Sequence, residues 1–236
     1  TLYYWITTEQ TNESIYGSVG ILRNADIWKA FLNSLWISIV CAFIAGTFGI
    51  LVGYGVAKRR GRKLSNYVSN LAFLPYLIPA MSFATIYLIL SYTSALSFLN
   101  GSLVLLIVVG SIKFLPFASK SGTNAMLQLS NEIEEAAIIV GVPWWKRMVK
   151  VLFPIQKSSF ISGYLLPFVS CMRELTLFVV LTGSSTILTA VLQNYEKYDC
   201  TQISNGINLI IILSVLIINV VVNKLTGASI AKSVGG

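Results

Sequence analysis

The sequence contains no histidine, and only 11% of its 236 residues are charged. Without histidine the commonest general base and metal ligand is missing, so histidine-dependent catalysis and histidine metal sites are excluded. A soluble domain carries about a quarter of its residues as Asp, Glu, Lys and Arg. Here 55% of the residues are hydrophobic and the mean hydropathy is +0.74. The composition therefore predicts a membrane protein.

Cysteine is scarce as well, and no motif for nucleotide chemistry is present. The three cysteines, Cys41, Cys171 and Cys200, are an odd number without the spacing of metal ligands. Cys41 and Cys171 lie in apolar runs, where cysteine behaves as a small hydrophobic residue. The sequence has no Gly-x-x-x-x-Gly-Lys-Ser/Thr phosphate loop. We therefore predict no catalytic residue, no metal ligand and no cofactor site, so the chain alone is not an enzyme.

Long apolar segments are abundant. A helix needs about 20 residues to cross the hydrocarbon layer, and a spanning segment must be helical to satisfy its own backbone polar groups. Five segments are apolar and about long enough, at roughly 31–57, 71–90, 102–119, 158–181 and 207–222. The predicted fold class is an all-α membrane protein with five membrane-spanning helices.

The basic residues indicate the orientation. The segments 58–70, 120–157 and 223–236 hold five, five and two of the 17 lysines and arginines. Because cytoplasmic loops are enriched in Lys and Arg, these segments are predicted to be cytoplasmic. The segments 1–30, 91–101 and 183–206 would then be external. The net charge of +8 is thus a signal of topology, and no nucleic-acid partner is expected.

The predicted organisation has three parts. An external segment covers 1–30, a transmembrane domain covers 31–223 with its long cytoplasmic loop at 120–157, and a cytoplasmic tail covers 224–236. The chain starts at Thr1 without a methionine and without a signal peptide. This start favours a processed chain or a fragment with polypeptide missing upstream.

The long cytoplasmic loop is predicted to contain a short helix over 131–140. Asn131 can cap its N-terminus, with Glu134 three residues later in the capping-box position. Gly141 followed by Pro143 would end it. Four residues at helical spacing form an apolar stripe along one face. The stripe consists of Ile133, Ala136, Ala137 and Val140.

An apolar stripe in an aqueous loop must be covered. It could fold back on the chain's own helices, lie in the lipid headgroup layer, or dock on a partner protein. A second short amphipathic helix is predicted from Trp144 towards Val151, before Pro154 leads into the fourth span. Its tryptophans and basic residues suit the headgroup layer. They are Trp144, Trp145, Lys146, Arg147 and Lys150.

The spacing of this loop resembles the EAA loop of ABC importer permeases. The family pattern is Glu-Ala-Ala, three residues, Gly, nine residues and Ile-x-Leu-Pro. This chain has Glu135-Ala136-Ala137, then Gly141, then Val151-Leu152-Phe153-Pro154 at the same spacing. It departs from the pattern only in apolar exchanges at Val151 and Phe153. The resemblance implies a coupling helix that docks on an ATPase subunit. Its role carries over to Glu135, Ala136, Ala137, Gly141 and Pro154.

The resemblance extends over about 31–223. It includes Asn33-Ser34, Leu74-Pro75, Ile78-Pro79 and Lys113-Phe114-Leu115-Pro116. It implies the five-helix core of the type I importer permease fold in the cytoplasmic (inner) membrane of a prokaryote. The implied partners are a second permease unit (fused or separate), two ATP-binding cassette subunits that bind ATP and Mg, and an external solute-binding protein. The implied mechanism is alternating access.

The solute is predicted from a shorter resemblance. Cys171-Met172-Arg173-Glu174-Leu175 resembles the Met-Arg-Glu-Leu run of ferric-iron-type permeases. Those permeases often fuse two units in one chain, and the start of this chain is compatible with a second unit. Ferric iron is therefore the expected solute, with thiamine, polyamine or a similar small solute as the alternative. From other classes, an ion-coupled secondary transporter, a channel or a membrane scaffold remains open.

Several residues inside the predicted spans are unusual for a membrane helix and are candidates for a functional or packing role. Pro75 and Pro79 should kink or unwind the second span, for the solute pathway or for packing. Arg173 and Glu174 are costly in the fourth span. As sequence neighbours they cannot satisfy each other well, so each should find another partner or face the cavity. They either belong to the solute pathway or lock helices or the dimer interface together. Lys113 is expected to snorkel to the inner surface.

Two further features have alternative interpretations. Small residues recur every four positions in the first span, at Ala45, Gly49, Gly53 and Ala57. Such a stripe permits close helix contact, either with the partner permease or within the subunit. The external stretch from Tyr195 to Cys200 is either a solvated loop or a contact for the binding protein.

Overall fold

The apolar segments form helices in the computed structural model, which describes residues 21–94, 96–182 and 187–226. Within these ranges every regular element is helical, as the sequence predicts. Parts of the predicted external segments (1–20 and 183–186) and of the tail (227–236) lie outside the described residues. In chain order the α-helices are α1 (Ala25–Lys58), α2 (Lys63–Leu77), α3 (Ala80–Ser91), α4 (Leu103–Leu127), α5 (Asn131–Ile139), α6 (Trp144–Arg147), α7 (Phe153–Ile155), α8 (Lys157–Met172), α9 (Thr176–Thr182), α10 (Leu188–Lys197) and α11 (Thr201–Thr226).

Three of these helices, α1, α4 and α11, are long and apolar enough to cross a membrane by themselves. The pairs α2 with α3 and α8 with α9 each qualify as one interrupted span, which gives up to five spans in the described residues. Several boundaries differ from the prediction, since α2 begins at Lys63 rather than near 71 and α11 begins at Thr201 rather than near 207. α1 begins at Ala25 rather than near 31, and α4 continues to Leu127 rather than ending near 119. Beyond 119, Ala125 and Met126 are buried, so packing extends the helix past its most apolar part.

The second span is interrupted at Ile78 and Pro79, which are both extended. Pro79 has no N–H to donate, so the carbonyl of Pro75, four residues earlier, loses its helical partner. Lys113 on α4 replaces it: its Nζ donates to Pro75 O at 2.8 Å and to Ile78 O at 2.5 Å. The predicted unwinding is confirmed at Pro79, whereas Pro75 stays inside α2. The expectation that Lys113 snorkels is wrong, because its side chain is buried in the middle of α4.

One compact unit contains the described parts of Thr1–Val40, Pro79–Gly110 and Val169–Ile217. In it, α3 packs on α9. The buried hydroxyl of Ser34 on α1 accepts a hydrogen bond from the Leu188 N–H at the start of α10. A continuous apolar core joins the start of α1 to α10 and α11. Its buried members are Ile21, Ile27, Ala30, Leu188, Val191, Leu192, Tyr195, Cys200, Ile203, Ile207 and Ile211.

The second compact unit contains Cys41–Ile78, Ser111–Phe168 and the described part of Ile218–Gly236. In it, the small-residue stripe of α1 packs against α4. A Cβ atom at Gly49 would lie 2.5 Å from Ala118 Cβ, and one at Gly53 would lie 2.6 Å from the backbone N of Thr123. Glycine is required at these two positions for the helix backbones to approach. The structure thus supports the contact within the subunit.

Candidate functional site

The helix α5 begins at Asn131, but its N-cap lies one residue earlier than predicted. Ser130 is its N-cap, with an extended backbone and a hydroxyl that accepts from the Glu132 N–H at 3.3 Å. Asn131, the predicted cap, is the first helical residue, and its Oδ1 accepts from Lys58 Nζ at 3.2 Å. Serine competes well with asparagine as a cap. The expected capping box of Asn131 with Glu134 is therefore wrong, and Glu134 is free for another role.

The end of α5 follows the prediction. Gly141 has φ +77°, a left-handed conformation that glycine adopts without strain. The Gly141 N–H donates to Ile138 O at 2.8 Å, and the Val142 N–H donates to Ala137 O at 3.0 Å. This pair of hydrogen bonds is a Schellman motif, which turns the chain sharply out of the helix. Gly141 thereby sets the direction in which α6 leaves α5.

Glu134 anchors α5 to the end of α1. Its side chain is buried, with only 4% of the residue exposed. Tyr54 Oη donates to Glu134 Oε1 at 2.6 Å, and Lys58 Nζ lies 2.5 Å from Oε2. The Nε atom of Arg147 lies 3.8 Å from Oε1. One carboxylate thus joins α5 to a tyrosine and a lysine of α1 and to an arginine of α6.

The surroundings of Glu134 keep it ionised. Burial opposes the charge, but hydrogen bonds from Lys58 and Tyr54 and the positive charges of Lys58 and Arg147 outweigh it. The pKa of Glu134 therefore lies below its ordinary value. An ionised carboxylate with several charge-assisted partners is held in one position, because each hydrogen bond favours the charged form.

Further contacts hold α6 beside α5. Arg147 Nη1 donates to the carbonyl of Val142 at 2.9 Å, which clamps the connection between the two helices. The ring of Trp144 packs edge-on against the ring of Tyr54, with the centroids 6.0 Å apart. The helical path then continues through a π-helix at Met148–Leu152 into α7. Met148 and Leu152 are buried in the apolar core of this unit, so the loop is packed along much of its length.

The C-terminal end of α5 presents an uncovered apolar surface. Ile139 is 84% exposed and Val140 is 80% exposed, and Ile138 beside them is also exposed. We call these three residues the apolar tip. Of the predicted stripe, Ile133 and Ala136 are exposed too, and only Ala137 is half-buried. The interpretation that the stripe folds back on the chain's own helices is therefore wrong for the described residues. A headgroup layer or a partner protein remains.

Most of the residues predicted to couple to an ATPase lie close to this surface in the sequence. Glu135, Ala136 and Gly141 are exposed, and Pro154 is exposed in α7. Glu134 is the residue that the sequence reasoning assigned only to a cap. The sequence did indicate that Glu134 could pair with a basic residue, because it lies off the apolar stripe in a loop flanked by basic residues. The partners on α1, eighty positions away for Tyr54, could not be identified from the sequence.

Arg173 and Glu174 lie between helices rather than inside one. α8 ends at Met172 and α9 begins at Thr176, so the prediction of a continuous fourth helix is wrong. Glu174 Oε1 accepts from the Leu177 N–H at 3.0 Å and so satisfies a donor in the first turn of α9. Thr189 Oγ1 donates to the Glu174 carbonyl at 2.9 Å. As expected, the two charges do not pair with each other.

The stretch from Tyr195 to Cys200 is partly buried. Tyr195 belongs to the core of its unit, and its hydroxyl accepts from Asn24 Nδ2 at 3.0 Å. Cys200 is buried as well, while Glu196, Lys197, Tyr198 and Asp199 are exposed. Cys41, Cys171 and Cys200 are all buried and free of disulfides. A contact between the exposed residues and a binding protein stays a prediction.

Comparison with known proteins gives a family and a fold. Residues 45–232 match the model of the family described as binding-protein-dependent transport system inner membrane component. The chain is similar to the ferric transport system permease protein FbpB of Actinobacillus pleuropneumoniae, with 23% identity over 171 residues, or 71% of this chain and 24% of the relative. It is also similar to the phosphate transport system permease protein PstA of Mycobacterium leprae, with 28% identity over 73% of this chain and 55% of the relative.

A solved structure shares the fold. The structure of the methionine ABC transporter MetNI in inward-facing conformations contains a chain that superposes with a TM-score of 0.64. The match covers 86% of this chain and 97% of that chain, with 17% sequence identity. The predicted type I importer permease fold is thus confirmed. Against the ferric relatives the match spans about a quarter of their length.

Proposed function

The chain belongs to the family of binding-protein-dependent transport system inner membrane components, and from that premise we propose that α5 couples this permease to an ATPase subunit. The chain is a multi-pass membrane permease of an ABC importer. The observation that carries the proposal is the geometry of α5. An exposed apolar tip at Ile139 and Val140 stands on a base that is fixed by the buried charge of Glu134.

The anchor is strong enough for this role. Removing one partner of a buried ion pair costs about 3–5 kcal/mol. Shifting a two-state element from 1:99 to 99:1 requires about 5.5 kcal/mol of differential binding. The cost of leaving Glu134 without a partner is thus of the same order as the differential binding that nucleotide must supply. A displacement of α5 would move the end of α1 instead of simply breaking this contact.

The partners follow from the family. We expect ATP-binding cassette subunits that hold ATP and Mg, a second permease unit and an external solute-binding protein. The basic loops support a cytoplasmic position of α5, and the family supports an inner membrane. Hydrolysis takes place in the separate ATPase, and this chain supplies half of a pathway that alternates between outward and inward access.

Ferric iron remains the proposed solute. The run from Cys171 to Leu175 and the similarity to FbpB support it, while the similarity to PstA supports an anionic solute with comparable weight. Uptake of radiolabelled iron and of radiolabelled phosphate by vesicles that contain the complete transporter decides between them. We expect iron uptake that requires both ATP and the binding protein. Uptake driven by an ion gradient without ATP would contradict the importer assignment altogether.

The coupling proposal is tested at the apolar tip. Ile139→Gln replaces an exposed apolar contact by a polar one without touching the anchor. We expect it to reduce co-purification of the ATPase and ATP-driven uptake, with membrane insertion unchanged. Leu64→Gln, at an exposed leucine in the first turn of α2, is the control, since no coupling role is assigned to it. If Ile139→Gln and Gly141→Asp both co-purify with the ATPase and transport normally, α5 is not the coupling helix.

A further inference from the structure

Arg173 lines a cavity for which neither the fold nor the coupling role provides a use. The cavity has a volume of about 490 Å³ and lies among Arg173, α10 and α11, within one compact unit. Its walls are mainly aliphatic and include Leu192, Ile211 and Val215. Its polar lining consists of Arg173, Thr189 and Asn208. The Thr189 hydroxyl is already bonded to the Glu174 carbonyl, so Arg173 and Asn208 supply the available polar groups.

The guanidinium of Arg173 is unpaired within the part of the chain that the structure describes. The ion pairs found there both belong to Glu134. The adjacent carboxylate of Glu174 is directed to the Leu177 N–H of α9. A charge in the middle of a membrane span costs at least about 2.5 kcal/mol unless something compensates it. Arg173 is an exposed residue, so its charge is open to water or to an anion from outside these residues.

The chemistry of the two side chains specifies the kind of ligand. A guanidinium presents five N–H donors in a planar fork that fits two oxygens of a carboxylate, phosphate or sulfate. The Asn208 amide can add an N–H donor for a further oxygen. A bare metal cation would be repelled. We propose that Arg173 and Asn208 form a binding site for an oxyanion, and that the aliphatic walls accommodate the remainder of the molecule that carries it.

Two sources can supply such an oxyanion. The first is the transported solute, which would then cross as a negatively charged species. Iron would accordingly pass as a complex with oxyanion ligands rather than as a bare ion. The second is the phosphate of a lipid headgroup, because Ile212 and Leu216 at the cavity are 56% and 51% exposed and offer an apolar path to it. The chemistry at Arg173 is the same in both cases.

The test measures binding to the complete transporter, purified without nucleotide and without binding protein. In one arm, radiolabelled inorganic phosphate is titrated in detergent and displaced by sulfate. In the other arm, the transporter is reconstituted in phosphatidylcholine vesicles with or without phosphatidylglycerol, and retained lipid is counted by native mass spectrometry. Arg173→Gln should weaken binding about tenfold or more. Arg173→Lys keeps the charge but loses the fork, and should weaken it less.

Controls separate the site from general effects. Lys197→Gln removes an exposed positive charge at the end of α10, outside the cavity, and should bind like the wild type. Asn208→Leu tests the site without removing a charge. Phosphate binding that depends on Arg173 supports the site with a solute as its source, and lipid retention that depends on Arg173 supports it with a headgroup. Absence of Arg173-dependent binding in both arms overturns the proposal. Co-purification of the ATPase is scored in every preparation, so failure of the coupling proposal is seen separately.

Discussion

Glu134 and Arg173 are two charged residues in opposite situations, since Glu134 is buried among partners and Arg173 is exposed. Glu134 is buried with Tyr54, Lys58 and Arg147 around it, and its charge is fully used inside the chain. Arg173 lines a cavity with no partner among the described residues. A charge whose partners are all present fixes a structure. The oxyanion proposed above would supply the partner that Arg173 lacks among the described residues.

The largest effect is expected when Glu134 is removed from its partners. Glu134→Ala leaves Lys58 and Arg147 facing each other without the carboxylate, and should destabilise the attachment of α5 by about 3 kcal/mol or more. Amide hydrogen exchange in α5 of the complete transporter should accelerate about a hundredfold. ATPase activity should become independent of solute and binding protein. Unchanged exchange in α5 would show that Glu134 is not the anchor.

Removing the charge of Arg173 should change stability in the opposite direction. Arg173→Met removes a charge that no described residue compensates, so the transporter without ligand should gain stability. Denaturant titration of the purified transporter in lipid-free detergent measures this change. A loss of stability would mean that Arg173 has a structural partner, and the contrast with Glu134 would then disappear.

A smaller effect is expected when only the Tyr54 hydrogen bond to Glu134 is removed. Tyr54→Phe removes one hydrogen bond to the carboxylate and keeps the ring contact with Trp144. It should weaken the attachment of α5 by about 1.5 kcal/mol, since bonds to charged groups are worth more than neutral ones. Hydrogen exchange in α5 should rise about tenfold. The same substitution at Tyr67, an exposed tyrosine of α2, is the control and should change nothing.

The smallest effect is the dependence on pH. Because the folded pKa of Glu134 is below its ordinary value of 4.5, the ionised carboxylate stabilises the anchor above that value. Protection of α5, corrected for intrinsic exchange rates, should therefore stay constant from about pH 8 to about pH 6. It should fall once the pH drops through the lowered pKa, and Glu134→Gln should abolish this fall. A decline near neutral pH would assign the effect to another group.

The sequence predicted the spans well because each is determined by local hydropathy. It also located α5, since Gly141 and the apolar residues before it are local signals. It did not predict the contacts of Lys113 with the Pro75 carbonyl or of Glu134 with Tyr54, which depend on how distant helices pack. The interruption at Arg173 was missed for a related reason. The residues around it are apolar enough for a continuous helix, and the bond from Thr189 to the Glu174 carbonyl is a tertiary contact.

The bare end of α5 also places a condition on how such a transporter is made. With the proposed coupling role, a permease inserted ahead of its ATPase would leave Ile139 and Val140 uncovered, and uncovered aliphatic groups attract chaperones, proteases and other nascent chains. Synthesis of the two subunits in matched amounts limits that interval. The exposed end of α5 would thus make the stability of the permease in the cell depend on the amount of ATPase subunit present.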